Sequence, residues 1–117
     1  MSLFDELFNF SGAHDFPIDV IETDDAYLLE MEVPGIKADQ IEIGVESDHI
    51  KIEINNTVED EESKFIHRER PSGKYSRRMN FGKPINAQEA KSTMKDGILT
   101  ITLPYAETAK RVKLLIE

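Results

Sequence analysis

The strongest constraint on this chain is a period-two alternation of apolar and polar side chains that returns along most of its length. Ile98 to Leu103 places Leu99, Ile101 and Leu103 on one face, and Pro104 ends the pattern. Asp96-Gly97 just ahead reads as a two-residue hairpin turn, with glycine where the backbone needs a positive φ. Tyr27 to Val33 sets Leu29, Met31 and Val33 against Glu30 and Glu32, and Pro34-Gly35 closes it. Ile41, Ile43 and Val45 repeat the pattern, as do Ile50, Ile52 and Ile54 around Lys51 and Glu53. Ile18, Val20 and Glu22 alternate with Asp19, Ile21 and Thr23 before an Asp24-Asp25 turn. No helical period of any length interrupts residues 16–104. Short strands at ~8–12-residue spacing predict an all-β fold, an immunoglobulin-like antiparallel β-sandwich.

The flanks differ from this body. Residues 1–15 form an arm in which Leu3, Phe4, Leu7 and Phe8 fall at helical spacing, with Phe10 close behind and Ser11-Gly12 breaking the stripe. A segment that short does not hold a helix alone in water, so its apolar side chains want a partner surface. Residues 105–117 form a tail with Lys110, Arg111 and Lys113, ending Leu114-Leu115-Ile116-Glu117. On an extended segment Leu114 and Ile116 point the same way. An apolar pair at that place asks to be covered.

Composition removes several functions. Net charge is −9, which argues against a nucleic-acid partner, because phosphate contacts need a basic face. There is no cysteine, hence no disulfide, no thiolate catalysis and no cysteine-ligated zinc. No apolar run has membrane-spanning length, and Met1 to Glu6 lacks the basic start of a secretory signal. A soluble, cytoplasmic chain without a membrane partner is the expectation. His14, His49 and His67 share no metal-ligand spacing, and neither a G-x-S-x-G elbow nor a phosphate-binding loop occurs. No catalytic residue, cofactor or metal is therefore expected.

One stretch has no core pattern. Asn55 to Lys64 holds the acidic run Glu59-Asp60-Glu61-Glu62, after which Phe65, Ile66, His67, Arg68, Glu69 and Arg70 resume a strand-like character before Pro71. So long a connection inside a compact domain is unusual. Its candidate strand has reason to pair outside its own sandwich.

Three blocks then stand in a telling order: Val33-Pro34-Gly35-Ile36, Gly73-Lys74-Tyr75-Ser76-Arg77-Arg78-Met79, and Ala90 through Met94-Lys95-Asp96-Gly97-Ile98-Leu99 into Thr100-Ile101. Together they resemble the α-crystallin domain of small heat shock proteins, over residues 16–104 plus a tail element. Phe81-Gly82 stands where the family pattern usually has Leu-Pro.

The resemblance implies an ATP-independent holdase that binds unfolding client proteins and prevents their aggregation as part of the stress response. It implies a homodimer, made by swapping the segment Phe65 to Arg70 into the partner's sheet, that assembles into a larger homo-oligomer. Arg77 and Arg78 would lie on a strand meeting its own copy or the acidic loop, where a guanidinium pairs well with carboxylate. Leu114-x-Ile116 resembles the family's C-terminal anchor, with Val112-x-Leu114 as a competing register. Its groove would lie between Ile41, Ile43 and Val45 on one strand and Ala90, Ser92 and Met94 on another. The arm, through Leu3, Phe4, Leu7, Phe8 and Phe10, would offer apolar surface to clients. The alternative is a monomeric co-chaperone or adaptor module of the CS type, which shares the sandwich and needs no anchor.

Overall fold

A computed structural model of the chain describes residues 16–57, 64–70, 72–107 and 113–117. Seven strands follow one another: β1 (Ile18–Glu22), β2 (Ala26–Glu32), β3 (Ile41–Val45), β4 (His49–Asn56), β5 (Gly73–Asn80), β6 (Lys91–Lys95) and β7 (Ile98–Pro104). One sheet has the order β1-β2-β7-β6 and the other β3-β4-β5, with every pairing antiparallel. Helical structure among the described residues is confined to short 3₁₀ turns, at Ala38–Gln40, at Ala87–Glu89 and at Glu107. No helix there is long and apolar enough to cross a membrane. The predicted all-β antiparallel sandwich is what forms.

Alternation decides which side chains meet. Leu29, Met31 and Val33 follow β2 inward, and Leu99, Ile101 and Leu103 follow β7. They join Ile50, Ile52 and Ile54 of β4 and Met79 of β5 in one core. Each such side chain, taken from water, contributes ~1.5–3 kcal/mol. The partners in register are themselves apolar, Leu29 with Ile101 and Ile50 with Met79. A one-residue slip would turn these positions outward, so the register is strongly specified.

Two turns carry the special backbone. Asp96 and Gly97 have φ of 53° and 76°, and Lys95 pairs with Ile98 across them, the two-residue geometry with positive φ at both central positions. Pro34 and Gly35 form a turn in which Ile36 N–H donates to the Val33 carbonyl at 3.2 Å, with φ +78° at Gly35. The connection between β4 and β5 is 57–72. Within 64–70 the chain forms no strand, so the strand-like reading of Phe65 to Arg70 has no counterpart inside a single chain.

Candidate functional site

The groove residues sit on two sheet edges. Among the described residues β3 hydrogen-bonds only to β4 and β6 only to β7, so each presents an open edge. Ile41, Ile43 and Val45 are half-buried and pack on the core, as do Ala90 and Met94, while Ser92 is exposed. Ser92 and Met94 pair with the inward residues Ile101 and Leu99, so they point to the side between the sheets. An edge with unpaired backbone groups and an apolar inner margin suits an added strand.

The tail residues lie exposed. Leu114 is 88% and Ile116 98% exposed, and Leu115 is exposed with them, so these side chains do not use the chain's own groove. The competing register through Val112 falls outside the described residues, as do the arm residues Leu3, Phe4, Leu7, Phe8 and Phe10.

The chain leaves its body from a fixed point. Tyr105 N–H donates to the Asp25 carbonyl at 3.0 Å, and Ala106 N–H donates to the Pro84 carbonyl at 2.9 Å. The Tyr105 hydroxyl donates to the Thr23 carbonyl at 2.6 Å, and its ring packs edge-on against Tyr27. Tyr27 stacks on Phe81 at 4.5 Å, which gives the departure at Phe81-Gly82 a packing role. The Tyr27 hydroxyl accepts the Lys83 N–H, while Lys83 Nζ lies 2.8 Å from Glu22 and 4.8 Å from the Tyr105 ring centre. Burial pushes the Tyr105 hydroxyl above its ordinary pKa, and the hydrogen bond to Glu22 raises that of Lys83.

The segment 64–70 lies off the sheets. Phe65 is exposed and Ile66 fully so. The Arg68 guanidinium stacks 3.7 Å above the Phe65 ring, and His67 Nε2 lies 3.3 Å from Glu69 Oε1. With Asn56, Arg70 and Ser72 these residues line a hollow of about 350 Å³. Arg70 reaches the Pro34-Gly35 turn, where a Cβ on Gly35 would come within 3.3 Å of its Nη2.

Arg77 lies on β5 and is buried within the chain itself. It is 4% exposed and points between the sheets, in register with Ile52, with Nη1 donating to the Tyr75 hydroxyl at 3.4 Å. Residues on the inward phase of β5 run Tyr75, Arg77, Met79, so alternation from the buried Met79 was the signal for this. Arg78, one residue on, is the outward one and bonds Asn80 through Nε at 3.3 Å.

Sequence reasoning missed β1 as an open sheet edge among the described residues. Val20 and Ile21 point to opposite faces and are both exposed, although β1 pairs on only one side. Two adjacent apolar residues in an otherwise alternating strand were the available signal. Phe16, just ahead of β1, packs edge-on against Tyr75 of β5 at 5.0 Å, which puts β1 and β5 at the same margin of the sandwich.

Among the described residues no group of three His, Asp or Glu side chains is arranged to hold a metal ion. His49 Nδ1 instead meets Asp48 Oδ1 at 2.7 Å in the β3–β4 turn, and that hydrogen bond lowers the Asp48 pKa.

Comparison with known proteins follows this geometry. The model of the Hsp20/alpha crystallin family matches residues 19–116. The 16.9 kDa class I heat shock protein 1 of Triticum aestivum is 31% identical over 96 residues, covering 80% of this chain and 64% of that protein. The 18 kDa antigen 2 of Mycobacterium avium is 29% identical over 94 residues, covering 80% and 68%. Among solved structures, heat shock protein 16.0 from Schizosaccharomyces pombe aligns with a TM-score of 0.67 at 26% identity, over 88% of this chain and 96% of that one. The match to the wheat protein thus spans slightly less than two thirds of its length.

Proposed function

The chain belongs to the Hsp20/alpha crystallin family, and on that premise we propose that it is an ATP-independent holdase, a cytoplasmic chaperone that binds unfolding proteins and keeps them from aggregating. The observation that supports this best is a surplus of apolar surface lying off the core. Leu114, Ile116, Phe65 and Ile66 are exposed, and the open edge strands β1 and β3 also carry half-buried or exposed isoleucine and valine. Exposed apolar surface of that kind marks association.

Two of these surfaces serve assembly in this reading. The segment Phe65 to Arg70 adds to the β1 edge of a second copy, covering Val20 and Ile21, and makes a dimer with both elements exchanged. Leu114 and Ile116 enter the β3/β6 groove of a neighbour as an added strand. Arg77 braces the Tyr75 margin of β5 from inside through its bond to the Tyr75 hydroxyl. Residues 1–15 are the client-binding arm, residues 16–104 the α-crystallin domain and residues 105–117 the anchor-bearing extension. Weak apolar contacts to a client then add through the high local concentration of arms in one assembly.

The surface acts without a bond-making step, so no nucleotide or cofactor enters the mechanism. A monomeric CS-type adaptor would have no use for the exposed Leu114 and Ile116, which favours the assembling reading. The test is light scattering by a heat-labile protein warmed with and without this chain, in the absence of nucleotide. Suppressed scattering is expected; scattering that rises unabated at equal subunit numbers contradicts the proposal.

A further inference from the structure

The outer face of the β1-β2-β7-β6 sheet carries its charges in columns. Register aligns Asp19 with Glu30, Glu30 with Thr100 and Thr100 with Thr93, and a second row runs Ile21, Leu28, Thr102 and Lys91. A third joins Glu32, Ile98 and Lys95. Acid therefore stands on β1 and β2, at Asp19, Glu30 and Glu32. Base stands on β6, at Lys91 and Lys95. Between them lie Leu28, Ile98, Thr100 and Thr102, all half-buried, with Ile21 exposed at the margin.

None of these five charged side chains has an ion-pair partner among the described residues. On the outer face of the other sheet, by contrast, Lys51 and Glu53 pair at 2.9 Å. Asp19, Glu30 and Glu32 also border, with Pro17 and Ile98, a shallow hollow of about 130 Å³ that is open to a long cationic side chain.

We infer that this face packs against the same face of a second copy, about a two-fold axis parallel to the strands. Such an axis lays β1 over β6 and β2 over β7, so Asp19 comes over the β6 strand of the other copy. Glu30 and Glu32, one strand further in, lie within reach of its long Lys91 and Lys95 side chains. A two-fold axis across the strands would set acid on acid and base on base. The charges thus select one of the two symmetric arrangements, and a self-matching face is what an isologous contact requires. Sheets stack ~10 Å apart, a gap that lysine and glutamate side chains span. A uniformly acidic or uniformly basic partner would match only half of the face. The contact uses the outer face rather than the backbone edge of β1, the tail or the arm, and shares only the marginal Ile21 with the proposed dimer contact, so it does not rest on the holdase reading.

The experiment uses the full chain carrying Leu114→Ala and Ile116→Ala, so that the tail contributes nothing, and reads native mass against protein concentration at low salt. The parent should show about a doubling of its limiting mass. At ~1 M salt, where screening acts within ~3 Å, the doubling should vanish. Lys91→Glu with Lys95→Glu, and separately Glu30→Lys with Glu32→Lys, should each stay at the lower mass, because each makes both halves of the contact repulsive. Mixed in equal amounts, the two variants should regain the doubling, since unlike charges then face each other everywhere except at the unchanged Asp19 of the second variant. Circular dichroism confirms the fold, and Lys91→Gln with Lys95→Gln, expected to weaken the doubling, replaces any reversal that fails to fold. A parent that never doubles, variants that double as the parent does, or a mixture that stays at the lower mass would each overturn the inference.

Discussion

The Val33 N–H donates to the Gly97 carbonyl at 2.7 Å and joins the Pro34-Gly35 turn to the Asp96-Gly97 hairpin. These two blocks are far apart in the chain, yet they close the same end of the sandwich. A Cβ on Gly97 would lie 3.6 Å from Pro34 Cα, in ordinary contact, so backbone conformation and not space demands glycine there. With φ at +76°, Gly97→Ala should cost about 1 kcal/mol or more. Thermal unfolding should show this as a drop of several degrees, about 4–8 °C per kcal/mol for a body of this size. Asp96→Asn, which tolerates positive φ, should leave the melting temperature nearly unchanged.

The Tyr105 clasp predicts an alkaline weakness. Burial raises the Tyr105 pKa and the Glu22 hydrogen bond raises that of Lys83. For both, the folded state holds the proton more tightly, so their stabilisation is complete below the ordinary values near ~10 and is lost as pH rises through the raised ones. Stability should therefore fall above about pH 10. Tyr105→Phe should cost ~1 kcal/mol at neutral pH through the lost bond to Thr23. Its disadvantage should shrink between pH 9 and 11 on the same scale of ordinary pKa values. Melting curves across that range check it; parallel pH profiles for the two proteins would show that Tyr105 does not contribute.

Most of the body was legible because a half-buried strand writes its burial into the sequence with period two. Leu29, Met31 and Val33, or Leu99, Ile101 and Leu103, reveal strand, face and register together. Arg77 was not legible as a buried residue, because a guanidinium is ordinarily outside and only its phase with Met79 shows the direction. The β1 edge was hidden for a different reason. Whether Val20 and Ile21 are covered depends on which strand ends the sheet, and local alternation does not encode strand order. The segment 64–70 reads as a strand in composition but finds no partner inside one chain, since pairing is a property of the neighbour as well as of the sequence.

Assembly beyond the dimer should depend on the tail. Leu114 and Ile116, each buried in a groove, would contribute at most ~1.5–3 kcal/mol before the cost of ordering the tail. Replacing both by alanine should reduce a large assembly to dimers and their weak associates while the β circular dichroism stays unchanged. An unaltered native mass in light scattering at working concentration would remove the anchor role.

The dimer should depend on the segment between β4 and β5. Deleting residues 59–70 and closing the gap with a short Gly/Ser turn removes Phe65 and Ile66 and leaves the described strands intact. Sedimentation is read with Leu114→Ala and Ile116→Ala added and at ~1 M salt, which silence the tail and the charged sheet face. It should then find monomers with a folded β spectrum, and the β1 edge should take up hydrogen exchange faster than with the segment present. A dimer that survives the deletion would reduce the segment to a plain connection.

The chaperone claim is tested most directly by what becomes of the client after heating. A heat-labile protein is warmed with this chain without nucleotide, the mixture is centrifuged, and the supernatant is resolved by gel filtration with both proteins identified in each fraction. A holdase leaves the client in the supernatant, co-eluting with this chain at a mass above that of either alone, and added ATP changes nothing. A client found in the pellet while this chain elutes alone at its original mass would contradict it.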